Sequence, residues 1–256
     1  MKIYTKETLI EKLKEIRSKG WIPNARPGNQ GGVGNTIEDL LGITENNLPI
    51  PNAAEWELKC RRIGTSLTTL VHVEPSPRAL RIIPGILLPK YGWQHQSLND
   101  EMSFRQTISG QSRSDRGFMV VVDRSAQKVL ISFDAHAVDK DRHQDWLVSV
   151  EKRVGLGELT PQPYWGFDDL RNTVGTKLLN CFYIQAQVKR EKGKEFFLYD
   201  RIMVLQKFSV DQLLGGIEQG FVFVDFDART HHNHGTKIRL RQDKLPGLYE
   251  TVQVVT

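Results

Sequence analysis

The stretch Glu55-Trp56-Glu57-Leu58-Lys59 sets two carboxylates and an ammonium at alternate positions. In a strand, successive side chains point to opposite faces. Glu55, Glu57 and Lys59 then share one face, while Trp56, Leu58 and Cys60 share the other. Hydrolysis of a phosphodiester near neutral pH needs a divalent cation to polarise the phosphate, a deprotonated water, and positive charge to meet the developing negative charge. Carboxylate oxygens are hard ligands suited to magnesium, and a lysine beside them can orient the water. Glu57 and Lys59 are therefore candidate catalytic residues, with Glu55 on their face. Glu38 joins them, read as opening the preceding helix in IEDLLGI and supplying a carboxylate from a neighbouring element. The same spacing also fits a solvated strand edge on which Lys59 balances two acids. The residues alone leave both readings open.

A second cluster, His231, His232 and His234, lies in THHNHG. Histidines two apart on an extended segment can share a metal ion, but zinc needs four groups, or three and water, and no second pair of ligands is evident nearby. As base contacts, the imidazoles and Asn233 offer donors and acceptors at a loop tip. Arg229, Lys237, Arg239 and Arg241 would then hold phosphates. A plain polar loop is the third reading. Arg105, Arg113 and Arg116 flank or occupy the polar segment QTISGQSRSDRG, which suits a loop folding onto a phosphate backbone or an exposed hairpin loop. The glycine-rich GNQGGVGNT has neither the Gly-Lys-Ser/Thr ending nor the preceding apolar strand of a phosphate loop, so it reads as a flexible entry to the Glu38 helix.

The elements that must position these groups alternate between helix and strand patterns. Leu9, Ile10, Leu13 and Ile16 predict a helix over 6–18, capped by Thr5 or Thr8 and stopped at Gly20. Strands are expected at 66–73, as a hairpin at 117–123 and 128–134, and as a pair at 181–189 and 196–206. The latter half of 164–179 and SVDQLLGGIEQG read as helical, and FVFVDFDAR and KIRLRQ as extended, with THHNHGT a loop between them. The mixture predicts an α/β or α+β fold with a mixed sheet. The chain has 256 residues, a net charge of +5, 39% hydrophobic and 25% charged residues, room for one large core or two lobes. Its modest basic excess permits a polyanionic partner without demonstrating one. Cys60 and Cys181 are far apart and outside any CxxC pair, and no run is apolar enough for a signal peptide or membrane span. The expectation is a cytoplasmic protein with reduced, buried thiols and no membrane partner.

In chain order, GVGNTIEDLLG around Glu38, ENNL followed by EWELK, SLTTLVHVEP around His72, QTISG, YWGFDDL, GIEQG and HNHGTKIRL form an ordered set. That set resembles the MvaI/BcnI type of restriction endonuclease, relatives of the MutH mismatch-repair nickase within the PD-(D/E)xK nucleases. The resemblance implies a PD-(D/E)xK restriction-endonuclease-like mixed sheet flanked by helices, in two lobes around a DNA cleft. Residues 1–160 would be mainly catalytic and 161–256 mainly DNA-reading, with interleaving allowed. It implies a type II, magnesium-dependent enzyme that acts as a monomer. Such an enzyme nicks the strands of duplex DNA in sequence, leaves 5′-phosphates, and has a cognate DNA methyltransferase as functional partner. The sites are pseudosymmetric, CC, one central base, GG, and the branch resembled is the one reading a G·C or C·G centre.

Residue by residue, the resemblance makes Glu57 a metal ligand, Lys59 the catalytic lysine and Glu38 the helix-borne acid. His72 and His232 fall near the central base pair, and Asn233 and His234 in the major-groove segment. The departure is Asn52. The family's metal-binding aspartate falls five residues before the E-x-K glutamate, and here an amide keeps an oxygen ligand without its charge. Asn52 is either a replacement made to trap uncleaved DNA or a natural variant in which Glu55 or Glu38 supplies the charge. A strand-nicking enzyme of the MutH kind and a catalytically silent DNA-binding protein are the rival functions.

Overall fold

Thr5 caps the helix Lys6–Ser18 as the sequence predicts. Its hydroxyl accepts from the Thr8 N–H and the Thr8 hydroxyl accepts from the Thr5 N–H, so two otherwise orphaned donors are satisfied. The helix Lys6–Ser18 buries Leu9, Leu13 and Ile16, and Gly20 follows at a φ of 71°. This computed structural model describes residues 4–29, 31–43, 53, 55–64 and 66–256. Asn52 and the ENNL segment lie outside them. No helix among the described residues is long and apolar enough to cross a membrane.

The strands are β1 (Ile22–Pro23), β2 (Glu57–Arg62), β3 (Leu67–His72), β4 (Trp93–Gln94), β5 (Met102–Ile108), β6 (Arg116–Asp123), β7 (Lys128–Val138), β8 (Tyr164–Gly166), β9 (Asn180–Glu191), β10 (Lys194–Phe208), β11 (Val222–Arg229), β12 (His232–Arg241) and β13 (Tyr249–Val254). Together with the helices they make a mixed α+β fold in two compact units. One holds residues 1–66, 171–210 and 242–256, the other residues 67–170 and 211–241. The units follow the sheets rather than a single cut in the chain, so segments from both sides of residue 160 enter each.

The first unit carries the sheet β1–β10–β9–β2, with β13 also on β10. β2 runs parallel to β9 while the other pairings are antiparallel, which makes this the mixed sheet. Leu58, Cys60, Phe182 and Ile184 meet Leu9, Leu13, Ile37 and Leu41 in its core. The helix Gly32–Leu41 packs against β2. It begins well before Glu38, so Glu38 sits late in the helix rather than opening it. The glycines make that early start possible, because a Cβ on Gly32 would lie 2.7 Å from the Asn24 amide.

The second unit holds the sheet β3–β12–β11–β5–β4 and a smaller one, β6–β7–β8. Phe104 stands edge-on to Phe118 and Phe226 at 5.4 and 5.3 Å between ring centres, and Trp146 from the helix Lys140–Val154 joins the cluster. That helix escaped the sequence reading because only Trp146, Leu147 and Val150 of its residues are buried in a charged stretch. Its audible signal was the Asp139 cap, which accepts from the Arg142 N–H. Helical turns fill the latter half of 164–179 as expected, after a short strand at 164–166. Two expectations are corrected. QTIS begins inside β5 and is not all loop. The expected loop THHNHGT is largely strand, since β12 starts at His232.

Candidate active site and nucleic-acid interface

β2 ends the strand order of its sheet among the described residues, beside β9, with Glu57 opposite Cys181 and Lys59 opposite Tyr183. Because Leu58 and Cys60 face the core, the pleat turns Glu57 and Lys59 to the other side. Glu57 is only 2% exposed, and the Lys59 ammonium lies 2.8 Å from its Oε1. A buried carboxylate is costly unless paired, and this contact supplies a paired charge. The solvated-edge reading fails on this burial.

Glu38 is partly buried on the helix against β2. Burial pushes the thiol of Cys60, on the core side of the strand, well above its usual range. Glu55 is different. Ala53 and Trp56 exchange backbone hydrogen bonds of 2.9 and 3.0 Å, closing a tight turn that leaves Glu55 exposed and outside β2. Strand parity therefore does not carry Glu55 to the Glu57 face. Among the described residues no three His, Cys, Asp or Glu side chains gather as a metal site, and position 52 lies outside them. Glu57, a buried hard-oxygen donor, fits a magnesium ligand by its chemistry.

In the second unit, cross-strand partners align Thr107, Asp225, Lys237 and His72 in one row across β5, β11, β12 and β3. Arg105 and Asp227 form the next pair. The inner residues Val224, Phe226, Ile238 and Leu240 are buried, so the row occupies the opposite, polar face. Acids and bases interlock on it. Asp227 meets Arg105 Nε at 2.7 Å and Lys237 Nζ at 3.0 Å, while Asp225 accepts from the Thr107 hydroxyl at 2.6 Å and faces Arg239 at 3.5 Å. Burial pushes Asp227 up, but the Lys237 hydrogen bond and the charges of Lys237, Arg105 and His234 outweigh it and hold the carboxyl below its usual range. Sequence reasoning missed both aspartates. Their signal was the alternation in VFVDFDAR, read for strand period and not for charge.

His232, Asn233 and His234 open β12 and are exposed. The two imidazoles meet Nε2 to Nε2 at 2.7 Å, and the Asn233 amide oxygen accepts from the Gly235 N–H at 2.8 Å. A register shift between Phe226 and Ala228 bulges the ladder beneath them. Glu74 pins the following residue, accepting from the Thr236 N–H at 2.9 Å and its hydroxyl at 3.2 Å. Arg229, at the end of β11, is tied to Glu101.

Arg113 and Arg116 are more enclosed than a flexible loop would leave them. Arg113 donates to the Gly117 carbonyl and the Ser132 hydroxyl at 2.9 and 3.1 Å. Arg116 stacks on Trp93 at 4.0 Å and lies 5.5 Å from Trp146. Both tryptophans line a cavity of about 1040 Å³ together with Arg105, Arg116, Arg142, Arg153 and His143. A polar face bearing fixed donors and acceptors, with a cationic cavity reaching Arg105, is chemically suited to base edges and phosphates.

The sequence model of the MvaI/BcnI restriction endonuclease family matches residues 10–249. The chain belongs to that family. It is accordingly a restriction endonuclease, a site-specific deoxyribonuclease. Two solved structures of a family member are similar to it across nearly their full lengths. One, described as the restriction endonuclease MvaI–cognate DNA substrate complex, has a TM-score of 0.79 and 26% identity over 99% of this chain and 100% of the other. The second, MvaI in the absence of DNA, has a TM-score of 0.52 and 25% identity over 97% and 98%. No curated protein matches the chain by sequence.

Proposed function

We propose that this MvaI/BcnI-family chain is a monomeric, magnesium-dependent type II enzyme that cuts duplex DNA at CC-N-GG sites with a G·C or C·G centre. The observation that carries the reading is the Glu57–Lys59 pair, a carboxylate 2% exposed with an ammonium at 2.8 Å on a strand of a family endonuclease. In this reading the unit holding β2 is catalytic and the unit holding β11 and β12 reads sequence. Glu57 and position 52 hold the metal, with Glu38 as the candidate supporting acid. When bound, magnesium supplies charge that polarises the phosphate and lowers the pKa of a coordinated water. Lys59 orients the attacking water from the Glu57 side and offsets charge building on the phosphate. Water attacks in line, the bond from phosphorus to the 3′ oxygen breaks, and that oxygen takes a proton, leaving a 5′-phosphate and a 3′-hydroxyl.

His72, Arg105, Lys237, His232, Asn233 and His234 read bases, while Arg113, Arg116 and Arg229 support the backbone grip. Strands are nicked one after the other, in a cytoplasmic setting with a cognate methyltransferase protecting the host site. Asn52 favours a second reading, a sequence-specific DNA-binding protein that does not cut, because an amide brings no charge to the metal.

Plasmid cleavage in magnesium, comparing the Asn52 chain with its Asn52→Asp variant, tests both. Cutting by the Asn52 form supports the first reading and makes another carboxylate sufficient. Cutting by the aspartate form alone favours the second. Nicked circles that never become linear, in either form, would favour a strand-nicking enzyme.

A further inference from the structure

β10 carries one residue more than its partner β9 accounts for. Tyr199 stands opposite Ala186 and Arg201 opposite Gln185, so Asp200 has no partner and the strand bulges there. The extra residue resets the pleat. Tyr199 belongs to the core, and by plain alternation Arg201 would follow it there. With Asp200 inserted, Ile202 takes the core position opposite Ile184, and Arg201 is carried to the other face. Bulges recur beside active sites because they redirect a side chain.

The face that receives Arg201 is the one bearing Glu57 and Lys59. Glu57 stands opposite Cys181, Lys59 opposite Tyr183 and Arg61 opposite Gln185, and β10 adds Leu205, Met203 and Arg201 to the same three rows. Burial changes along it. Cys181, Tyr183, Met203 and Leu205 are buried, and the Tyr183 hydroxyl donates to the Gln242 carbonyl at 3.4 Å, at the head of the turn Gln242–Leu248. In the row next to Lys59, Arg61 and Gln185 are partly buried and Arg201 is exposed. The face opens to solvent there. Asp200 is engaged elsewhere, its Oδ2 accepting from the Gln187 amide at 2.6 Å. Among the described residues Arg201 pairs with no carboxylate. Two strand spacings of about 4.8 Å and two residues of about 3.3 Å put its backbone roughly 12 Å from that of Lys59. That is the rise of about three or four base steps of duplex DNA.

We infer that Arg201 binds a backbone phosphate of the duplex near the bond that is cut, on the face it shares with Lys59. A guanidinium can meet the two free oxygens of a phosphodiester through parallel N–H donors, and a flat sheet face leaves room for the backbone to lie along it. The inference rests on the endonuclease reading above.

A backbone walk tests it without needing cleavage. Duplexes containing the CC-N-GG site, each with one uncharged methylphosphonate, are titrated in calcium with the parent chain, Arg201→Gln and Arg201→Lys. The parent's affinity should fall at each phosphate it contacts. Arg201→Gln should bind the unmodified site about tenfold more weakly, the effect of one charged contact. It should be indifferent to the methylphosphonate at one of those positions and as sensitive as the parent at the others. Arg201→Lys, which keeps the charge, should keep the sensitivity at that position, a rescue that a merely structural role for Arg201 does not predict. The inference is overturned by an Arg201→Gln protein with the parent's full affinity, or by one that loses as much as the parent at every position. A parent chain that prefers no CC-N-GG duplex over random DNA overturns the endonuclease reading itself, and this inference with it.

Discussion

In the proposed mechanism Lys59 is the side chain on which the chemistry turns, since it lies 2.8 Å from a buried carboxylate. Lys59→Ala should lower cleavage at least about a hundredfold while leaving site-specific binding in calcium intact. Retained cutting would take Lys59 out of the mechanism. The exposed His232 ring stands 4.2 Å between centres from the ring of His234. His232→Ala should therefore weaken site binding by roughly 1–3 kcal/mol if the imidazole meets a base edge, with random DNA unaffected. Asp227 carries a pH dependence. Its folded pKa lies below the ordinary 3.8, so its contribution to stability is present above that value and lost as pH falls through the depressed folded pKa. Asp227→Asn should be less stable than the wild type in urea at pH 7, and the gap should narrow below about pH 4. An equal gap at pH 3 and pH 7 would mean the carboxylate's charge is not what matters.

The elements differ in how plainly the sequence announces them. The helix Lys6–Ser18 and the pair β9 and β10 were legible because each carries its own periodicity, and β11 alternates buried and half-buried residues along its whole length. The start of β12 was not legible. His232, Asn233 and His234 look like a loop because polar residues on an exposed strand end carry no alternation, and what makes them strand is the ladder to β11. Glu55 was misplaced for the converse reason, since parity is silent about the Ala53–Trp56 turn that ends it. The pairing of β2 with β9, which brings Cys181 opposite Glu57, joins segments far apart in the chain and has no local signature. Gly235 shows how an element serves the site. It has a φ of 77°, and a Cβ there would lie 2.6 Å from Glu74 Oε1. Gly235→Ala should cost about 1–2 kcal/mol and lower the melting temperature by roughly 2–8 °C. Site binding should weaken with it, since Glu74 would lose its hold on Thr236 beside His234. An unchanged melting curve would show that β12 adapts without strain.

Across the molecule, a net charge of +5 is small for a protein that must find one DNA site among many. The distribution of charge explains how that can suffice. On the polar face of the second unit, Arg105 and Lys237 share Asp227, and Arg239 faces Asp225. Cations held this way attract random phosphates less than isolated ones, since part of their field is already answered. They remain aligned to meet base edges, and the aspartates can accept from cytosine amino groups. If this face reads DNA as proposed, selectivity comes from keeping non-specific affinity low as much as from making specific contacts. Asp227→Asn, which raises the net charge by one, separates the two effects. Affinity for random duplex should rise several-fold and become more steeply dependent on salt, since Arg105 and Lys237 would gain phosphates as partners. Affinity for the CC-N-GG site should stay level or fall, so the ratio of specific to random binding contracts by about tenfold or more, the scale of one lost base contact. The measurement is a pair of salt titrations on site and random duplexes. If random binding is unchanged while site binding falls, the aspartate acts only as a base contact. If neither changes, the interlocked face is not where this endonuclease meets DNA.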